Sequence, residues 1–167
     1  GKGILATECS RFPNEILLAI VHSMYTRLKT AKTLEIVDDK GTHLQLPYNP
    51  FAIYYGGTFG VDHLEPGQRT SWPLGHFMIH PEDSFSGVAM VDCIRSTPRI
   101  MEKPIRFVIH KCQVTDIEDR EETKELKAIL AKPENGTFVD KVLFGLNPKG
   151  SISKGVHRSR FGEMFQS

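Results

Sequence analysis

Apolar residues recur three or four positions apart at Ile16, Leu17, Ile20, Met24 and Leu28, after Arg11-Phe12-Pro13-Asn14-Glu15. That spacing lines one face of an α-helix. It predicts a helix over residues 14–32 with Asn14 as its N-cap. His22, Arg27, Lys29 and Lys32 fall on the other faces, and His22 is expected at the surface. The period then drops to two. Thr33-Leu34-Glu35-Ile36-Val37 alternates, and so does His43-Leu44-Gln45-Leu46, with Asp38-Asp39-Lys40-Gly41 between them. The pair predicts a β-hairpin whose turn uses the conformational freedom of Gly41. His43 lies on its polar face. Residues 47–60 break the alternation with Pro, Tyr, Phe and Gly, and read as an irregular loop, either a pocket wall or lid or a plain edge connection.

Two short apolar runs follow, at 75–80 and 87–91, long enough for buried strands, with Pro81-Glu82-Asp83-Ser84 as the loop between. Alternation puts His76, Met78 and His80 on one strand face, with His80 at the strand end beside the loop. Residues 104–118 alternate as a long strand or hairpin, with His110 on the exposed side. Residues 119–132 read as an amphipathic helix. Asp119 is its expected cap, Glu122 the capping-box partner, and Leu126, Ile129 and Leu130 its core face. The charges of Glu121, Glu122, Lys124 and Glu125 form a solvated face. Asn135-Gly136 is a turn, and Thr137, Val139, Val142 and Phe144 suggest a further strand ending at Gly145-Leu146-Asn147-Pro148. The tail from Lys149 reads as a solvated loop carrying His157, Arg158, Arg160 and Glu163. The expected fold is α+β: a twisted, largely antiparallel sheet or partial barrel with two main helices.

Composition narrows the class. The chain has 167 residues, 40% hydrophobic and 25% charged, which fits one domain over residues 1–167 with a sizeable core. Net charge is +1 with both signs mixed, so no basic stripe marks a nucleic-acid partner. No apolar run approaches the roughly 20 residues of a membrane span. Cys9, Cys93 and Cys112 form no CxxC pair and read as reduced thiols of a cytoplasmic protein. Gly1-Lys2-Gly3-Ile4 carries neither an initiator Met nor the apolar core of a signal peptide, and the chain is expected to be the central or C-terminal part of a longer protein. Internal repeats and the GxGxxG, Walker, HExxH and GxSxG patterns are absent.

Candidate chemistry gathers between Gln68 and Asp92, which hold the only Trp (Trp72), two of the seven His (His76, His80) and the acidic Glu82, Asp83 and Asp92. Two imidazoles on one strand face can hold a metal or move protons near neutral pH. The competing reading is two polar residues hydrogen-bonded within a sheet.

Several separated pieces resemble one family. Arg11-Phe12-Pro13 before a helix, then residues 31–37 and Asp39-Lys40-Gly41-Thr42-His43-Leu44, resemble its R-[WY]-P … A … I … GTDL pattern. Pro66-Gly67-Gln68-Arg69-Thr70-Ser71-Trp72-Pro73-Leu74-Gly75 resembles its PGE-R-T-x-x-P-x-G segment, and Gly145-Leu146-Asn147-Pro148 its G-[IL]-N-P. The chain is thereby identified, over about residues 8–163, as similar to 2,5-dihydroxypyridine 5,6-dioxygenase-like proteins. These are related in fold to the aminopeptidase T family and often labelled leucyl aminopeptidase-like.

The resemblance implies a metalloenzyme cleaving a small hydroxylated aromatic ring. Its non-haem Fe(II), or another divalent metal, is held by two His and a carboxylate, leaving positions open for substrate and O2. It implies His80 as a pocket acid/base, His157 as a metal ligand, and Gln68, Arg69 and Trp72 as substrate-pocket residues. Arg69 would pair with an anionic group and Trp72 would stack on the ring. Three departures weigh against a complete site. Gln68 replaces a family Glu, Lys141 stands near the peptidase branch's metal-binding Glu, and the later His-x-Asp pair has no counterpart before Ser167. Two other functions stay open: a two-metal aminopeptidase of the same superfamily, and a non-catalytic binding or oligomerisation domain, with self-association into a homo-oligomer compatible with either.

Overall fold

The computed structural model describes residues 11–56, 76–94, 99–132 and 136–149. The chain folds as two compact units: residues 1–30, 50–79 and 143–167 form one, and residues 31–49 and 80–142 the other.

In the first unit, helix α1 spans Asn14–Leu28. Its N-cap is Pro13 rather than Asn14, which is the first helical residue. Proline's fixed φ suits a helix start, and the Pro13 carbonyl accepts the Leu17 N–H at 3.1 Å. The helix also stops short of residue 32. Its last turn tightens as Thr30 N–H and Oγ1 both donate to the Arg27 carbonyl, at 3.2 and 2.9 Å, and the chain passes into a strand at β-branched Thr33. Leu17, Val21 and Leu28 are the buried face, whereas Ile16 is half exposed. His22 is exposed, as expected. Phe77 is buried in this unit and stacks on Phe144, ring centroids 4.5 Å apart and nearly parallel.

The second unit is mostly antiparallel strand. β1 (Thr33–Val37) pairs with the start of β2 (His43–Gly56), Val37 opposite His43 and Thr33 opposite Pro47. The turn is built as the sequence suggests. The Asp38 carboxylate accepts the N–H groups of Lys40 and Thr42 at 2.9 and 2.8 Å, and Gly41 takes φ +103°. These bonds, that from Thr42 foremost, hold the Asp38 carboxyl below its usual range. β2 runs on to Gly56, so residues 47–56, expected as an irregular loop, are strand. Alternation persists through the aromatics: Leu44, Leu46 and Tyr48 are buried while His43, Gln45 and Asn49 are exposed. Residues 57–60 lie outside the described residues.

β3 (His76–Pro81), β4 (Ser86–Ile94), β5 (Arg99–His110) and β6 (Gln113–Ile117) follow, then helix α2 (Glu121–Leu130) and β7 (Val142–Gly145). Hydrogen-bonded order is β6-β5-β4-β2-β3-β7, with β1 also on β2. The pairs β1–β2, β2–β4, β4–β5 and β5–β6 are antiparallel. The fold is therefore α+β around a seven-stranded sheet, and among the described residues the strand path stays open rather than closing into a barrel.

Gly87 fixes how close β4 comes to β2. It sits opposite Leu44 at φ +140°, and a Cβ there would lie 2.2 Å from the His43 carbonyl oxygen. Met101, Ile105, Ile117 and Leu126 form a buried cluster against which Val91, Phe107, Val114 and Leu130 pack. α2 thus buries Leu126, but Ile129, expected inside, is more than a third exposed. The helix cap also differs from expectation. The N-cap is Arg120, whose N–H donates to Thr123 Oγ1 at 3.0 Å, while that fully buried hydroxyl lies 2.9 Å from the Glu118 carbonyl. Asp119 instead accepts from Lys127 Nζ at 3.0 Å, which holds its carboxyl below the usual range.

Candidate functional site

His80 stands near the end of β3, where the strand gives way to the loop 82–85. Its side chain is 39% exposed. Nδ1 lies 2.8 Å from the Asp140 carbonyl oxygen. A carbonyl only accepts, so Nδ1–H donates. In the neutral ring the Nε2 lone pair is then the basic position, a tautomer fixed by a backbone partner. The Asp140 carboxylate is 3.5 Å from the same Nδ1, within reach of a positive imidazolium. Lys141 Nζ lies 3.5 Å from the other carboxylate oxygen.

Two segments are brought together here, the β3–β4 loop and residues 136–140, and one turn touches both. β5 and β6 are joined by Lys111 and Cys112 alone, with His110 paired to Gln113. Both turn residues are left-handed, φ +50° and +60°. A two-residue hairpin turn of this hand normally calls for Asn-Gly, and each L-residue held there costs roughly 1–2 kcal/mol. Bonds from elsewhere hold it. Cys112 N–H donates to the Phe85 carbonyl at 3.0 Å, and its carbonyl accepts the Val139 N–H at 2.7 Å. The thiol donates to the Glu82 carbonyl at 3.1 Å, and Lys111 N–H donates to Ser86 Oγ at 3.1 Å. Cys112 is buried. Burial, more than any other cause, pushes its thiol pKa up, so the thiol keeps the proton that this bond needs.

Beside Asp140 a mostly apolar cleft of about 490 Å³ opens between the sheet face and α2. Val91, Phe107, Val114, Leu126 and Phe138 line it, with Asp140 and Lys141 among its lining residues.

Of the site residues expected from the sequence, His80 alone is described. Gln68, Arg69, Trp72 and His157 lie outside the described residues. His76 is buried at 7% exposure, and burial lowers its pKa. His110 is exposed. His43 is exposed too, and lies 2.8 Å from Glu35 across the hairpin. Asp140 and Cys112 carry no local motif, and only tertiary pairing joins Asp140 to His80 and Cys112 to the β3–β4 loop.

An iron centre needs a set of ligands, and among the described residues no three His, Cys, Asp or Glu side chains gather to hold a metal ion. At the site itself His80 has Asp140 beside it, with the Lys141 ammonium on that carboxylate and Nδ1 given to a carbonyl. The described residues therefore do not by themselves fit the metal that the family resemblance implies. No described helix is long and apolar enough to cross a membrane. Neither Cys93 nor Cys112 forms a disulfide among the described residues.

A model of the family described as 2,5-dihydroxypyridine 5,6-dioxygenase matches residues 9–160. Among solved structures, the 2,5-dihydroxypyridine dioxygenase from Pseudomonas putida KT2440 is similar, with TM-score 0.62 and 23% identity over 84% of this chain and 44% of that one. Wild-type AmpT from Thermus thermophilus is similar with TM-score 0.57 and 16% identity, over 80% of this chain and 34% of that one. At these identities the likeness is one of fold, and the chain spans less than half the length of either protein. Among curated proteins none matches.

Proposed function

The chain belongs to the 2,5-dihydroxypyridine 5,6-dioxygenase family, and from that premise we propose that it supplies an acid/base histidine to a ring-cleaving dioxygenase acting on a small hydroxylated pyridine or similar aromatic. The observation that carries the reading is the Nδ1–H bond of His80 to the Asp140 carbonyl. With Nδ1 committed, Nε2 can take a proton from a substrate hydroxyl and later return it. The Asp140 carboxylate lies 3.5 Å from the same Nδ1. The ring π-face of Trp72 and the guanidinium of Arg69 are the proposed holders of the substrate, with Gln68 as a hydrogen-bonding neighbour. Fe(II) is the proposed cofactor and would supply O2 chemistry when bound, with His157 its proposed ligand in this chain. Reduced thiols agree with a cytoplasmic location.

A two-metal aminopeptidase is the second reading, favoured by the fold likeness to AmpT. Lys141 counts against it, because an ammonium stands near the position where that branch places an anionic ligand.

The test is O2-dependent cleavage of 2,5-dihydroxypyridine by Fe(II)-loaded protein, wild type beside His80→Gln. Loss of an acid/base group is worth roughly 10²–10⁴-fold in kcat. A His80→Gln protein with wild-type kcat removes the proposed role. Peptide hydrolysis without reductant or O2 would favour the second reading.

A further inference from the structure

We infer that the Lys111–Cys112 turn is the positioning element of His80, with Cys112 the residue through which it acts. The inference rests on the acid/base reading of His80 and deepens it. His80 does its work only if the end of β3, which leads into the β3–β4 loop, and the segment at Asp140 keep their spacing, since the tautomer depends on the 2.8 Å bond from His80 to the Asp140 carbonyl. The loop closes on itself through the Phe85 N–H bond to the Glu82 carbonyl at 2.9 Å, and the other segment is tied to β6 by the Val114 N–H bond to the Thr137 carbonyl at 2.9 Å. Cys112 bonds to both. Its N–H and thiol take the Phe85 and Glu82 carbonyls, five and two residues past His80, and its carbonyl takes the N–H of Val139, next to Asp140. The loop is also tied from Glu82 N–H to the Pro47 carbonyl at 2.8 Å and from Ser86 Oγ to the Ser84 carbonyl at 3.0 Å.

The choice of residues agrees with this role. A turn selected for stability alone would place Asn-Gly here. This chain keeps two side-chain-bearing residues in left-handed backbone, and one is a buried cysteine whose thiol adds a bond to the Glu82 carbonyl beside the backbone bonds to Phe85 and Val139. Strain of this kind persists where surrounding structure over-determines it. Cys112 touches no reacting atom in this scheme. It acts through His80.

The test is imidazole ¹⁵N NMR of the whole protein, with the His80 signals assigned by their loss in His80→Gln. Wild type is expected to show two well-separated ring nitrogens, the sign of one fixed tautomer. Cys112→Ser retains a donor for the Glu82 carbonyl and is expected to keep that separation. Cys112→Ala is expected to lose it, the two resonances drawing together as tautomers exchange. Should Cys112→Ala fail to fold, Cys112→Gly takes its place, because glycine removes the thiol together with Cβ and accepts the left-handed turn without strain. A folded Ala or Gly variant with the wild-type His80 pattern overturns the inference. The readout needs neither substrate nor metal, so it succeeds or fails separately from the activity of His80→Gln.

Discussion

Placing a methyl group on Gly87 should separate β4 from β2. The new Cβ would meet the His43 carbonyl oxygen at 2.2 Å, Leu44 Cα at 2.9 Å and the His43 carbonyl carbon at 3.1 Å. All three are backbone atoms of the paired strand, so no side chain can swing aside. The residue must also hold φ +140°, which costs roughly 1–3 kcal/mol for an L-residue. Relief requires moving the strands apart where Leu44 faces Gly87, between the His43–Val88 and Gln45–Ser86 pairs, and each ladder bond lost costs about 0.5–1.5 kcal/mol. Gly87→Ala should therefore destabilise by about 3–5 kcal/mol. At roughly 2–4 °C per kcal/mol for a chain of this size, the melting temperature should fall by about 6–20 °C. Gly41→Ala is the control. That glycine also has positive φ, +103°, but a Cβ would meet only Met90 Cγ at an ordinary 3.8 Å. It should cost the backbone strain alone, roughly 1–2 kcal/mol. Urea and thermal unfolding of both variants measure the difference. If Gly87→Ala unfolds no more readily than Gly41→Ala, close approach of β2 is not what requires glycine at position 87.

Two further outcomes follow from buried polar groups. Thr123→Val keeps the side-chain volume but removes the hydroxyl that accepts the Arg120 N–H; it should cost about 1–2 kcal/mol in urea unfolding, and an unchanged midpoint would show that the cap contributes nothing. His76 has its pKa lowered by burial, so below about pH 6.5 the unfolded chain binds a proton that the folded chain resists. Stability should be full above that value and fall as pH drops towards the folded-state pKa. His76→Gln should flatten the stability–pH profile in that window whatever its absolute stability; an unaltered slope would place the proton uptake elsewhere.

Local pattern carried the scaffold well. The period-two stretches became β1 and the start of β2, with Asp38 and Gly41 closing the turn as their chemistry demands. Both helices formed. Their ends shifted because caps depend on single bonds: Pro13 displaced Asn14, and Thr123 bonded Arg120 while Asp119 was drawn to Lys127. Residues 47–56 are strand although Pro47 and Pro50 read as breakers, because strand pairing and the burial of Leu46, Tyr48 and Ile53 outweigh that local signal. The site was legible only in part. His80 stood out as a histidine at a strand end, and the family motifs pointed to the right relatives. Asp140 and Cys112 could not be read in advance, since the contacts that give them meaning join positions 60 and 30 residues apart.

The Lys111–Cys112 hairpin also bears on the order in which the chain can fold. A two-residue hairpin between long strands is ordinarily among the earliest structures to form, closing within about 1–10 μs on local preference. Here local preference opposes closure, because both turn residues must enter left-handed backbone. The compensating bonds come from Glu82, Phe85, Ser86 and Val139, which reach the turn only after β4 and the 136–140 segment have arrived. β5–β6 closure is thereby made a late event, governed by long-range assembly instead of by its own sequence.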